Sequence, residues 1–234
     1  MPTNLHELNE IGIALSTEKN IERLLEMILQ KAQQITHADA GILFTKHELE
    51  EAYVQRVRHC DSLNIHVGGT TGEPTYGFPI ELVRNGKPNT HSLTAMCAIS
   101  MKSHNLNDIA NHPEYDFPST REFDIRRGYN TQSVLAVPMI TKRREVIGVI
   151  RLSNAQDADG NIQHFSAESQ HMVESLASQA AIALDNDLLI NGLEELLEAF
   201  IQLVAKAIDQ KSKHTGNHLQ RIPIIVEMLA EAAE

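Results

Sequence analysis

Cysteine is scarce in this 234-residue sequence: Cys60 and Cys97 are the only two. The opening Met1-Pro2-Thr3-Asn4 has no basic stretch followed by an apolar one, so it does not read as a secretory signal. Two thiols in that setting read as reduced cytoplasmic cysteines, not a disulfide framework. Neither has an adjacent basic group or partner cysteine to lower its pKa, which leaves a redox sensor weakly motivated. Basic residues are also in deficit. Twenty Lys and Arg stand against 31 Asp and Glu, a net charge of −11. Such a chain repels phosphate backbones, which argues against a nucleic-acid partner. No apolar run reaches 18 residues, so no membrane insertion is expected. What remains is ordinary globular composition, at a length above one common domain and short of two full ones.

Along the chain, Leu5, Leu8, Ile11 and Leu15 recur at helical spacing, and Ser16-Thr17 ends the run. Asn20 is the N-cap expected for a second helix with Ile21, Leu24, Leu25, Ile28, Ala32 and Ile35 on one stripe. Residues 40–45 and 53–58 read as strands, 61–78 as strand and turn-rich loop, 92–103 as a helix, and 111–120 as irregular. Residues 133–140 and 146–152 form two strong strands around the charged turn Lys142–Glu145, an antiparallel hairpin. Pro138 predicts an edge position or a bulge. Arg151 shares a strand face with Ile147 and Val149, where a charge needs a partner, unless it sits at the strand end in solvent.

From the N-cap Ser166 the chain reads as helix for some 40 residues. Val173, Leu176, Ala180 and Ala183 form one seam. Ile190, Leu193, Leu197, Phe200, Val204 and Ala207 form another, out of phase with the first. The break beside Asp185-Asn186-Asp187 and Gly192 predicts a kink or joint. The alternative is one amphipathic helix that changes the neighbour it packs on.

This order of elements, with Ala38-Asp39-Ala40-Gly41-Ile42-Leu43-Phe44, Leu106-Asn107-Asp108-Ile109, Phe123-Asp124 through Gly128-Tyr129, Val146–Leu152, Asn154 and Phe165-Ser166, resembles the GAF family of sensory domains. The resemblance covers about residues 18–188. It implies an α+β fold: an antiparallel sheet with helices packed on one face and a small-molecule pocket on the other, under the irregular middle segment. It also implies sensing, not catalysis. The family's cyclic-nucleotide signature, Asn-Lys … Phe-x-x-x-Asp-Glu, is here Asn154-Ala155 … Phe165 … Ser169-Gln170, which lacks the lysine and both carboxylates. Bilin attachment at Cys97 is disfavoured by its neighbours, and the thiol reads as a small buried hydrophobe. Pocket candidates for an unidentified small-molecule ligand are Asp108, Asn111, Phe117, Phe123, Arg127, Tyr129 and Arg151. The competing assignment has Phe117 and Phe123 pinning the loop and Arg127 paired with a surface acid.

The C-terminal Thr215-x-x-His218-x-x-Arg221 with the following helix 225–233 resembles the opening of an HD-GYP domain. That family hydrolyses cyclic di-GMP with two or three divalent metal ions of the Fe or Mn type. His218 matches its first metal-associated histidine. His214 stands where some members place an acidic ligand. Histidines at i and i+4 share a helix face, although Gly216 weakens a helix there. The family's His-Asp pair and Gly-Tyr-Pro signature do not occur in these 234 residues, so no catalysis is expected of them. The expected organisation is an N-terminal helix (1–17), a GAF domain (18–188), a helical linker (189–213) and the start of an incomplete HD-GYP domain (214–234). The N-terminal helix and the 166–210 helix are expected to hold a homodimer. The alternative function is a GAF-fold dimerisation module with no ligand.

Overall fold

The first long helix, α1 (Ile21–Thr36), begins at the expected cap: Asn20 Oδ1 accepts from the Arg23 amide at 3.0 Å. It ends where His37 turns left-handed at φ 52° and returns its N–H to Gln33 O. The computed structural model describes residues 12–15, 17–47, 50–75, 77–109, 112 and 116–211. Leu24, Leu25, Ile28 and Leu29 of α1 are almost wholly buried. Their burial contributes roughly 6–12 kcal/mol before entropic costs.

The main strands are β1 (Ala38–Lys46), β2 (Ala52–Cys60), β3 (Ile65–Gly68), β4 (Ile80–Glu81), β5 (His104–Leu106), β6 (Val134–Ile140), β7 (Val146–Gln156) and β8 (Ile162–Gln163). They build one antiparallel sheet in the order β3-β2-β1-β7-β6-β5, with β4 against β2 and β8 against β7. A small separate hairpin pairs Val83–Arg84 with Lys87–Pro88. Between them run α2 (Leu93–Ser100) and α3 (Pro118–Arg127); α4 (Ala167–Lys211) closes the described chain.

Both faces of the sheet are covered. On one, α1 and the first five turns of α4 pack Leu25, Ile28, Leu176 and Ala180 against Leu43, Leu135, Ile150 and Leu152. On the other, α2 and the middle segment bring Leu93, Cys97, Ile109 and Phe117 onto Ile42, Phe44, Val134 and Val149. The long helices therefore share one face, and the middle segment lies on the opposite one.

Two sequence expectations change in detail. Residues 118–120 are helical, not irregular, because Pro118 stands in the first turn of α3, where its missing N–H leaves no intrahelical bond unmade. Ile147 packs with the α1 face, away from Val149 and Arg151. A register shift at Met139/Ile140 breaks the alternation there. The helix after Ser166 runs from Ala167 to Lys211, through Asp185–Gly192. What changes there is burial: Leu184 is enclosed, and from Leu188 the large apolar residues are open to solvent. Pro138 lies beside the shift, on a stretch of β6 that β5 no longer pairs.

The chain divides into two units, 1–185 and 186–234. In the second, the described residues are helical. Leu193 is 67% exposed and Phe200 59%. Among the described residues no helix is long and apolar enough to cross a membrane.

Candidate functional site

Strand register sets the site. Ile42 on β1 stands opposite Arg58 on β2 and opposite Arg151 on β7. Arg151 in turn faces Ala136 on β6, and Ala136 faces His104 on β5. Residues directly opposite in antiparallel strands share a face, so Arg58, Ile42, Arg151, Ala136 and His104 form one row. Ile42 and Ala136 belong to the apolar cluster under α2. Two arginines thus rise from a hydrophobic surface.

Aromatic rings hold them. The Arg58 guanidinium carbon lies 4.9 Å from the Phe123 ring centre, and that of Arg151 5.6 Å from Phe44. Among the described residues neither forms an ion pair. Arg58 Nε is buried with no hydrogen-bond partner. Burial, then the charge of Arg58, pushes the Arg151 guanidinium down to about 10, with Asp124 acting in the other direction. Arg58 is lowered chiefly by burial; Cys60 opposes this and Arg127 adds to it. Two strand spacings separate their backbones, so repulsion between charges about 10 Å apart costs roughly 2 kcal/mol at an effective dielectric of 20.

The carboxylates nearby are engaged. Asp124 accepts from the Thr131 amide and hydroxyl at 2.9 and 2.8 Å. Asp39 accepts from Tyr129 Oη at 2.7 Å and from the Ser62 amide and hydroxyl at 3.0 and 2.8 Å. Tyr129 also meets Phe123 edge to face, centroids 6.0 Å apart. Burial raises its phenol above the usual range, reinforced by Asp39. Asn154, left-handed at φ 57°, accepts from the Gln132 amide at 2.8 Å and donates to Asn130 O at 2.8 Å. That bond pair fixes the segment that carries Tyr129 into β6.

Of the residues proposed from sequence, Phe123 lies against Arg58, Tyr129 packs on Phe123, and Arg151 stands in the same row as Arg58. Arg127 acts on it through charge from an exposed position at the end of α3. Phe117 is enclosed in the apolar cluster, and Asp108 is exposed. Asn111, His214 and His218 lie outside the described residues. Among the described residues no three His, Cys, Asp or Glu side chains group to hold a metal. Cys97 is buried with its thiol pushed up by desolvation, and Cys60, also buried, shifts in the same direction.

Sequence reasoning missed Arg58, Asp39, Phe44 and Asp124. For Arg58 the obstacle is a bulge. Simple alternation puts Arg56 and Arg58 on one face, but the β1–β2 register steps from Leu43↔Val57 to Phe44↔Gln55. Arg56 is the extra residue, and it reaches Glu22 on α1 instead.

A separate groove of about 530 Å³ runs between β6 and α4, lined in part by Lys102, Ser103, Pro138, Gln170 and Glu174. Gln170 donates to Glu174 there at 2.9 Å. The arginine row concentrates charge on an apolar face; the groove does not.

The sequence pattern of the GAF domain matches residues 20–184. The chain belongs to the GAF family. Among curated proteins no sequence matches it. Solved structures share its fold. The GAF domain of a phosphoenolpyruvate-protein phosphotransferase from Coxiella burnetii superposes with a TM-score of 0.59 at 18% identity, over 81% of this chain and 96% of that one. The corresponding domain from Acinetobacter gives 0.57 at 16%, over 81% and 97%. A GAF domain/HD domain protein from Geobacter sulfurreducens gives 0.50 at 17%, over 75% and 98%.

Proposed function

We propose that this GAF domain is a small-molecule sensor, and that its ligand binds on the sheet face beneath α3. The observation that carries this reading is the row Arg58–Ile42–Arg151. Charged groups with no ion-pair partner among the described residues stand on an otherwise apolar surface, flanked by Phe44 and Phe123. Binding sites combine apolar walls with a few placed polar groups in this way.

A route from that face to the exit helix is present. His104 ends the row, and its neighbour Asn105 donates to Phe165 O at 3.0 Å and to Gln170 Oε1 at 3.1 Å in the first turn of α4. A ligand bound beneath α3 would shift β5 and bias α4 through these bonds. Such coupling requires different ligand affinities in two states.

The output we propose is HD-GYP-type hydrolysis of cyclic di-GMP, in a bacterial signalling protein carrying this domain. Thr215-x-x-His218-x-x-Arg221 supports it, as does the fold shared with a protein named for both GAF and HD domains. Pairing of two chains along α4 is the companion proposal, supported by its exposed apolar residues.

A thermal-shift panel of cyclic nucleotides, haem, bilins and small metabolites tests the sensor. Stabilisation by one compound, lost when Arg151 is replaced, upholds it. No shift with any compound, together with stable dimers, favours the ligand-free dimerisation module. Hydrolysis of cyclic di-GMP by a chain extending beyond Glu234, assayed with and without the stabilising compound, tests the output.

A further inference from the structure

We infer that the ligand is a small organic anion whose carboxylate or phosphate oxygens are received by the guanidinium N–H edges of Arg58 and Arg151. This rests on the sensor reading above and names the chemistry of its ligand.

Charge balance is the first argument. The sequence carries −11 overall, yet on this face Arg127 acts on Arg58, and Arg58 on Arg151. The carboxylate acting on Arg151, that of Asp124, already accepts two hydrogen bonds from Thr131. Asp39 is taken by Tyr129 and Ser62. A structural arginine on an apolar face is ordinarily matched by an acid. Here two stand in one row, with Ile42 between them, and repel each other. An anion placed between them removes that repulsion.

Geometry is the second. Each guanidinium lies over an aromatic ring, which fixes its plane and leaves N–H donors at its edge. A planar fork of donors matches carboxylate and phosphate oxygens, and a partly dehydrated setting strengthens the bond. Arg58 Nε, buried and without a partner, is a donor that such an oxygen would satisfy. The rings of Phe44 and Phe123 supply apolar contact for the body of the ligand.

The test measures the melting temperature of the full 234-residue chain at constant ionic strength with inorganic phosphate, succinate or adenosine monophosphate. Adenosine and sodium chloride serve as controls. At least one anion is expected to raise Tm by several degrees, with calorimetry showing at least a tenfold affinity loss in Arg58→Gln and Arg151→Met. Arg84→Gln, on the exposed hairpin, is expected to bind as the parent does. Succinate against phosphate separates the two anion types. Without ligand, Arg151→Met is expected to melt no lower than the parent, because it removes repulsion and keeps apolar bulk. A lower Tm in both unliganded variants would mark the arginines as structural and overturn the inference. So would anion shifts no larger than those of chloride, or shifts that persist in both variants. A neutral metabolite that stabilises parent and Arg151→Met alike would sink the anion and leave the sensor standing. Silence from both anions and neutral metabolites would remove both readings.

Discussion

Tyr129 Oη donates to Asp39 Oδ2 at 2.7 Å, across ninety residues of sequence, and so ties the segment after α3 to the start of β1. Replacing Tyr129 with Phe deletes this bond and leaves the ring packed on Phe123. Asp39 keeps the Ser62 amide and hydroxyl, so its charge is not stranded. Urea unfolding is expected to show a loss of about 1.5–3 kcal/mol, the range for a hydrogen bond to a charged group, with an unchanged m-value. Adding Ser62→Ala should cost more than the sum of the two single changes, because the carboxylate then loses both hydroxyl donors at once.

Asn154 performs a comparable task from β7. Its side chain bonds Gln132 N and Asn130 O while its own backbone sits at φ 57°, where asparagine is tolerated better than most residues. Asn154→Ala strands a donor and an acceptor and adds backbone strain, for an expected loss of about 2–4 kcal/mol. Asn154→Asp keeps the acceptor toward Gln132 and should lose less. Thermal unfolding of the two variants ranks them, and an equal loss would show that the Gln132 bond contributes nothing separable.

The family and most elements were legible in the sequence because local rules coincide with the fold. Asn20 and Ser166 cap helices where a side-chain acceptor precedes an apolar stripe. The β6–β7 hairpin follows from two apolar runs around a charged turn. α3 was hidden because it has no apolar stripe: none of its residues is buried, and Ile125 is 80% exposed. The site was half legible. Arg151 stood out as a charge on an apolar strand, but its counterpart Arg58 lies beyond the Arg56 bulge, and no proline or glycine marks that bulge in the sequence. Asp39 and Tyr129 meet only through the closure of the sheet.

Gly148 has a steric reason that needs no special backbone angle. A Cβ there would lie 2.1 Å from Met139 Cε and 2.5 Å from Phe44 O. The methionine end can move, but the carbonyl belongs to the β1–β7 ladder and cannot. Gly148→Ala is expected to destabilise by about 1–3 kcal/mol. Shortening Met139 to Ala in the same chain should not restore the loss, and chemical denaturation of the double variant distinguishes a side-chain clash from a backbone one.

His59 is buried on β2 beside His66, ring centres 4.9 Å apart, and its Nε2 has no hydrogen-bond partner. Desolvation lowers its pKa first and His66 lowers it further, while Glu26 and Asp61 oppose. A histidine held below its unfolded value of about 6.5 binds its proton more readily in the unfolded chain. Its contribution is therefore constant well above pH 6.5 and destabilises progressively as pH falls through that value toward the folded pKa. The slope is at most about 1.4 kcal/mol per pH unit. His59→Gln should flatten the stability profile between pH 7 and 5. An unchanged slope would place that acid sensitivity elsewhere.

The second unit offers a prediction of a different kind. Ile190, Leu193, Leu197, Phe200 and Val204 repeat at three- and four-residue spacing and are 40–67% exposed, with Leu189, Leu196 and Leu203 alongside. A two-stranded coiled coil needs only the first set; a stripe this wide belongs to helices packed in a bundle. A solitary helix with such a stripe would be an aggregation hazard, so pairing with a second chain is the economical arrangement. Light scattering is expected to report a dimer. Leu193→Glu with Phe200→Glu places four carboxylates in its interface and should give a monomer. Because these side chains lie beyond the sensor core, circular dichroism and the melting of residues 20–184 should change little. A parent chain that remains monomeric at high concentration would refute the pairing, and a double variant that unfolds the sensor would show that the stripe packs within one chain.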